Sequence, residues 1–246
     1  MSDAHKNDTY GDDIRARTED DPDVQPAIPA ATVILLREHA DDVQVLMLRK
    51  NSDIAFGGMW VFPGGRIDPE DHVGAADDEA AARAAAVREA EEEASIRVDP
   101  QDLVWFSHWT PPPAPRKRFA TWFFAGSGAA HGDVAVDDGE ITDFEWISPE
   151  GALARHKAGE IDLAPPTWVT LYQLSLERSV DALLQRLSAE VKVYSTRVAK
   201  SAEGQRVAMW RGDAGYEQWD ADVPGARHRL VMARGGFMFE NDAVSY

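Results

Sequence analysis

Cysteine is missing from all 246 residues. That excludes a disulfide framework, a thiolate zinc site and a cysteine nucleophile. Positive charge is scarce: 25 Lys and Arg stand against 43 Asp and Glu, a formal net charge of −18. Such a field repels DNA, RNA and anionic membranes, so no nucleic-acid or membrane partner is expected. A chain of this charge that handles phosphates needs divalent cations between itself and its substrate. No run approaches the ~18 apolar residues of a membrane span, and the polar N-terminus lacks the apolar core of a signal peptide. The expectation is a cytoplasmic protein. The P-loop pattern, the dinucleotide GxGxxG, the GxSxG elbow and HExxH are all missing, and the seven histidines show no metal-ligand spacing.

What is present is globular. Hydrophobic residues make up 44% and charged ones 28%, near the averages for folded domains, and the length suits one core plus an appendage. Residues 1–28 hold little to bury: eight acids and three bases fall in the first 25, which predicts a flexible acidic tail. From Pro29, Thr32–Arg37 and Val43–Arg49 read as strands joined by a polar turn, hence a hairpin. A loop rich in glycine and aromatics follows, Phe56 to Gly65, and then a long Ala- and Glu-rich helix ending near Ser95. Leu103–Trp109, Phe119–Ala125 and Ile141–Ile147 are further strands. Strands interleaved with one strong helix predict a mixed α/β sandwich over 29–165.

Residues 166–246 form a third part. Pro165-Pro166 suits the first turn of a helix. Leu171, Leu174, Val180, Leu183, Leu184, Leu187 and Val191 then recur mostly at three- and four-residue steps, predicting an amphipathic helix. Val191–Val198, Arg206–Trp210 and Leu230–Phe239 read as short strands. This extension is expected to pack on the core or to form a homodimer surface.

The chemistry is concentrated in Arg88-Glu89-Ala90-Glu91-Glu92-Glu93-Ala94-Ser95-Ile96. On a helix Glu89, Glu92 and Glu93 fall within about a 100° arc, while Val87, Ala90 and Ala94 form a separate face for the sheet. Three carboxylates on one stripe repel one another unless a hard cation sits among them, and Mg²⁺ and Mn²⁺ favour such oxygens. An isolated acidic run is ordinarily a solvated face. Here it follows Phe62-Pro63-Gly64-Gly65, whose glycines let backbone approach a ligand, and Arg88 is placed to orient a carboxylate.

Loop and stripe together resemble the Nudix hydrolase family, whose box reads G-x5-E-x7-R-E-U-x-E-E-x-G-U with U apolar. Gly65 and Asp71 stand in the first half and Arg88 to Ile96 in the second. Asp71, with Glu70 adjacent, replaces the first Glu, and Ser95 replaces the closing Gly. Arg88 lies 23 residues after Gly65, so about nine residues are inserted within His72–Ala81. The resemblance spans Ala30 to Pro165. It implies an α/β/α sandwich with a mixed sheet and hydrolysis of a nucleoside diphosphate linked to a moiety X, with Mg²⁺ or Mn²⁺ as cofactor. Glu92, Glu93 and the Gly64 carbonyl then look like metal ligands, and Glu89 like a ligand or a base oriented by Arg88. Glu140 is the acid that the family often supplies from a later loop.

A finer similarity is to the branch that cleaves coenzyme A and acyl-CoA. It rests on Leu46-Met47-Leu48-Arg49, on Gly58 four residues before Phe62, on the insertion, and on Thr110 to Phe119 leading into Trp122-Phe123-Phe124. Lys50 and Ile54 depart from the longer signature of that branch. Pro111, 16 residues past Ser95, has a spacing associated with ADP-ribose-cleaving members, so ADP-ribose or dinucleotide cleavage is the alternative. Arg116, Lys117 and Arg118 form the one dense basic island, expected to bind a distal phosphate such as that of CoA. Arg49, Trp60, Phe62 and Arg66 are the other substrate-binding expectations, with Trp60 and Trp109 as stacking surfaces for adenine. A non-catalytic nucleotide-sensing module is the rival from another class, disfavoured by the intact Glu89/Glu92/Glu93 set.

Overall fold

The computed structural model describes residues 16–40, 42–51, 57–114, 117–127, 134–136, 139–233 and 235–246. The centre is a mixed sheet built on a long strand, β1 (Ile28–His39). β1 divides its neighbour between two partners. Its C-terminal end pairs antiparallel with β2 (Asp42–Lys50), the expected hairpin, with Leu36 opposite Val45. β3 (Trp60–Val61) pairs with the end of β2, and β4 (Gly64–Arg66) pairs with the N-terminal end of β1, with Thr32 opposite Gly64. The glycine loop is thereby drawn into the sheet.

Helix α1 (Asp78–Ala94) starts at Asp77, whose side chain caps Ala80 N–H. β5 (Val104–Thr110) and β6 (Phe119–Ser127) are antiparallel, and β6 runs parallel to β1. β7 (Ile141–Ile147) returns beside β2. Then come α2 (Pro149–Lys157), α3 (Pro165–Leu174) and α4 (Val180–Leu187). The helix expected from Pro165 onward is therefore two helices. The first closes at Ser175 and the second opens after Ser179; serines compete for backbone hydrogen bonds and mark such ends.

β8 (Lys192–Ser195) adds to the main sheet, parallel to β5. β9 (Arg197–Lys200), β10 (Arg206–Met209), β11 (His228–Ala233) and β12 (Gly236–Asn241) make a second, antiparallel sheet. The single strand expected over Leu230–Phe239 is in fact the β11–β12 hairpin, turning at Gly236, whose φ is 116°.

Each face of the main sheet has its own core. On one side Ala82, Ala85, Ala86, Ala90 and Ala94 of α1 lie against Val33, Leu35, Leu46 and Leu48, all fully buried. The alanines bring the helix close to the sheet, which fixes how near its glutamates come to β2 and β4. On the other side Ile34, Leu36, Val45 and Met47 share a cluster with Leu171, Leu174, Leu183, Tyr194, Trp210 and Leu230. Residues after 165, together with α2, thus supply the second helical layer of the sandwich. Among the described residues no helix is long and apolar enough to cross a membrane.

The acidic tail expected over 1–28 is partly outside the described residues, and the rest is held to the core. Arg17 is buried, Gln25 N–H donates to Ala114 at 3.0 Å, and Ile28 is already in β1.

Candidate active site

The site forms where the C-terminal half of α1 meets the end of β2 and β4. Leu46, Leu48 and Lys50 alternate onto the α1 side of β2, and α1 presents Glu93 and Glu89 there. Glu93 is the buried member of the stripe. Its carboxylate accepts from Lys50 Nζ at 2.7 Å and from Gly64 N–H at 2.9 Å. Glu89 accepts from Arg88 at 2.8 Å, and the exposed Glu92 accepts from the same guanidinium at 3.0 Å.

Both glycines are required by close approach, not by turn geometry. A Cβ on Gly64 would lie 2.6 Å from the Ala31 carbonyl oxygen and 2.8 Å from Thr32 Cα. One on Gly65 would lie 2.2 Å from a Glu89 carboxylate oxygen and 2.5 Å from its Cδ. Gly64 lets β4 seat on β1, and Gly65 leaves the space that the Glu89 carboxylate occupies.

Arg88 organises the outer side. It grips Asp71 with two hydrogen bonds, 3.2 Å from Nε and 3.0 Å from a terminal nitrogen, and donates to the Arg66 carbonyl at 3.0 Å. Asp71 is buried and also accepts from Asp68 N–H at 2.8 Å, whereas Glu70 is exposed. Asp71, six residues after Gly65, is therefore the acid that meets the box arginine. The inserted residues fall between the 3-10 turn Pro69–His72 and the first turn of α1.

The electrostatics follow from burial. Desolvation pushes the Glu89 carboxyl up, with Glu93 and Glu92 adding to it and Arg88 opposing. Desolvation also raises Glu93, against the pull of Lys50 and Gly64 N–H. Burial pulls the Lys50 ammonium down, but Glu93, Glu140 and Glu89 outweigh it and hold it above the usual lysine value. Burial opposes ionisation of Asp71 too, and is outweighed by Arg88 and the Asp68 N–H.

Glu140 comes to the same place from the start of β7, its carboxylate 3.6 Å from Lys50 Nζ, while its backbone carbonyl accepts from Asn51 N–H at 2.8 Å. Arg66 is exposed at the rim beside Asp68, 3.9 Å away, and Arg49 is exposed on the opposite side of β2 from Lys50. A surface depression of about 490 Å³ lined by Ala84, Val87, Arg88, Glu91, Glu92 and Pro100 borders the stripe.

Four substrate-binding expectations are corrected. Trp60 and Phe62, only 8% and 4% exposed, belong to the apolar core on the sheet face away from α1. The Trp60 backbone N–H donates to the Asp162 backbone carbonyl at 3.0 Å. Trp109 is likewise buried, stacked on Tyr194 at 3.7 Å. Arg118 is buried, its guanidinium committed to the Glu19 carboxylate, to Gln25 O at 2.8 Å and to Pro111 O at 3.1 Å. A guanidinium so enclosed is structural and is not presented to a phosphate. Arg116 lies outside the described residues. Lys50, not expected from the sequence as a site residue, is the group the structure adds.

A family model for the NUDIX domain matches residues 26–167. The chain belongs to the Nudix family. It is accordingly an enzyme of the pyrophosphohydrolase class, in a family that acts on small nucleoside-diphosphate substrates. No curated protein matches the chain. Among solved structures it is similar to a NUDIX hydrolase from Alicyclobacillus acidocaldarius, at 23% identity over 65% of this chain and 96% of that one, with a TM-score of 0.60. It is also similar to the NUDIX domain of Shewanella oneidensis NrtR complexed with ADP ribose, at 17% identity over 60% and 86% of the chains and a TM-score of 0.46. A C. elegans Ap4A hydrolase aligns at 20% identity over 66% and 96%, with a TM-score of 0.39. At 23% identity the likeness to the Alicyclobacillus acidocaldarius protein speaks for the fold.

Nudix hydrolases generally use divalent metals. The donors here fit one in kind: carboxylate oxygens, two of them buried enough to be raised by desolvation, beside a glycine backbone. Among the described residues no three acids or histidines converge into a ready metal cage; Lys50 pairs with Glu93, and Arg88 with Glu89 and Glu92.

Proposed function

We propose that the protein is a Mg²⁺- or Mn²⁺-dependent diphosphatase that splits a nucleoside diphosphate linked to a moiety X, with Glu89, Glu92, Glu93 and the Gly64 carbonyl as the groups that would hold the metal. The observation that carries this reading is the seating of the glutamate stripe against the two glycines. Gly64 N–H binds Glu93, and Gly65 leaves space that the Glu89 carboxylate fills. A solvated acidic face would need neither contact. A divalent ion held by these groups would neutralise the diphosphate and lower the pKa of the attacking water. Glu89, oriented by Arg88, takes the proton from that water, and Arg88 is itself held in place by Asp71. Glu140 stands at the edge of the cluster as a supplementary acid.

For X, the sequence cues around Arg49 and the insertion favour CoA or acyl-CoA, cleaved to 3′,5′-ADP and (acyl-)phosphopantetheine. With Arg118 enclosed, the exposed Lys117 and, in sequence, Arg116 are what remain of the basic island for a distal phosphate. The spacing of Pro111 supports ADP-ribose or a dinucleotide as the second reading.

The test is a panel of CoA, acyl-CoAs, ADP-ribose, NADH and diadenosine polyphosphates with Mg²⁺, with products identified by mass. Glu92→Gln and Glu93→Gln should each cost more than about a hundredfold in turnover, the upper end for residues that merely support a ligand, while the fold survives. Near-normal rates in both variants at saturating Mg²⁺ would refute the proposal.

A further inference from the structure

We infer that Lys50 is a built-in counter-cation that competes with the divalent ion for Glu93 and so sets how tightly the site takes its metal. This rests on the metal-dependent reading above and adds a residue to it.

The placement of Lys50 is determined by the fold. It is the last residue of β2, two beyond Leu48 and four beyond Leu46, so strand alternation puts all three on the face covered by α1. Its backbone is fixed on both sides, its N–H donating to Met59 O at 3.0 Å and its carbonyl accepting from Gly58 N–H at 2.9 Å. A bulge between Arg49 and Lys50 in the pairing with β7 brings Glu140 to the same ammonium. The side chain is only 12% exposed and that of Glu93 only 7%.

A lysine this enclosed needs a reason, because removing an ammonium from water is expensive without a partner. The glutamates provide it, and the arrangement is a division of charge. Arg88 is paired with Glu89 and Glu92 while also bound to Asp71, leaving Glu93 to Lys50. Arg88 is tied on three sides. Lys50 is the cation whose withdrawal would open Glu93, since an ammonium on a flexible four-carbon stem makes point contacts without a fixed fork. A divalent ion that bonds Glu93 must therefore displace Lys50 Nζ from it. The ion's observed affinity is its intrinsic affinity reduced by that competition.

The experiment is Mn²⁺ titration followed by electron paramagnetic resonance of the free ion, on wild type, Lys50→Met, Lys50→Arg and Glu93→Gln. Lys50→Met keeps the length and removes the charge. It should bind Mn²⁺ at least about tenfold more tightly, equivalent to about 1.4 kcal/mol, and its thermal stability should fall without metal and recover with it. Lys50→Arg, which keeps the charge and adds a fork, should bind Mn²⁺ no more tightly than wild type, and Glu93→Gln should lose the ion. If Lys50→Met does not fold, Lys50→Gln serves the same comparison. Unchanged or weaker Mn²⁺ binding on removal of the Lys50 charge, with Glu93→Gln still losing the ion, overturns the role of Lys50 alone. Glu93→Gln binding Mn²⁺ as tightly as wild type overturns the metal site, and the role of Lys50 with it.

Discussion

Gly65→Ala separates the site from the scaffold more cleanly than any charge removal. The added methyl would lie 2.2 Å from the Glu89 carboxylate oxygen, where ordinary contact begins at 3.4 Å, so the carboxylate must withdraw by about 1.2 Å. The group that moves is the end of a flexible side chain. The stability cost is then limited to weakening the Glu89–Arg88 contact, at most about 1 kcal/mol for a partly exposed pair. Turnover is another matter, because misplacing a reacting group by ~1 Å costs about 10²-fold. Gly64→Ala makes the opposite trade. Its methyl meets the Ala31 carbonyl and the Thr32 backbone, which cannot swing aside, so β4 must part from β1 at a cost of about 1–3 kcal/mol. Steady-state turnover on the diphosphate panel and urea unfolding of both variants make the comparison. The reasoning is refuted if Gly65→Ala turns over like wild type, or if it destabilises the fold as much as Gly64→Ala.

Two further outcomes concern the scaffold. Ser95 ends α1 at φ 59° with its N–H on Glu91 O and that of Ile96 on Ala90 O, a left-handed position that costs an L-residue about 1–2 kcal/mol. Ser95→Gly should therefore raise the Tm by a few degrees, read by calorimetry, and a fall would contradict the strain. In the second sheet the buried Arg229 grips Asp213 with two bonds of 2.6 Å, and Asp213 also accepts from His228 and Gly215 N–H. Burial opposes ionisation of Asp213, but these partners outweigh it and hold its carboxyl below the usual range. Its contribution is thus present above the unfolded-state value and is lost as pH falls through the depressed one. Asp213→Ala should cost about 3–5 kcal/mol at neutral pH by leaving a buried cation alone, and should narrow the gap to wild type in acid. A urea midpoint within error of wild type at neutral pH would refute it.

Much of this protein is legible in local pattern. The helical period places Glu89, Glu92 and Glu93 on one stripe, the alternation of apolar residues defines the β1–β2 hairpin, and Gly64-Gly65 announces a close approach. These are properties of a few adjacent residues, and short-range geometry decides them. Tertiary structure alone decided which side of a boundary other residues fell on. Trp60 and Phe62 have the composition of a binding loop, yet the sheet turns them into the core on its other face. Arg118 belongs to a basic island in sequence and to Glu19, 99 residues away, in space. Lys50 finds Glu93 across 43 residues. Residues after 165, an appendage by composition, complete the second layer of the sandwich. In each case the outcome depends on which distant surface excludes water from the side chain, and that is a property of the packed chain rather than of any window along it.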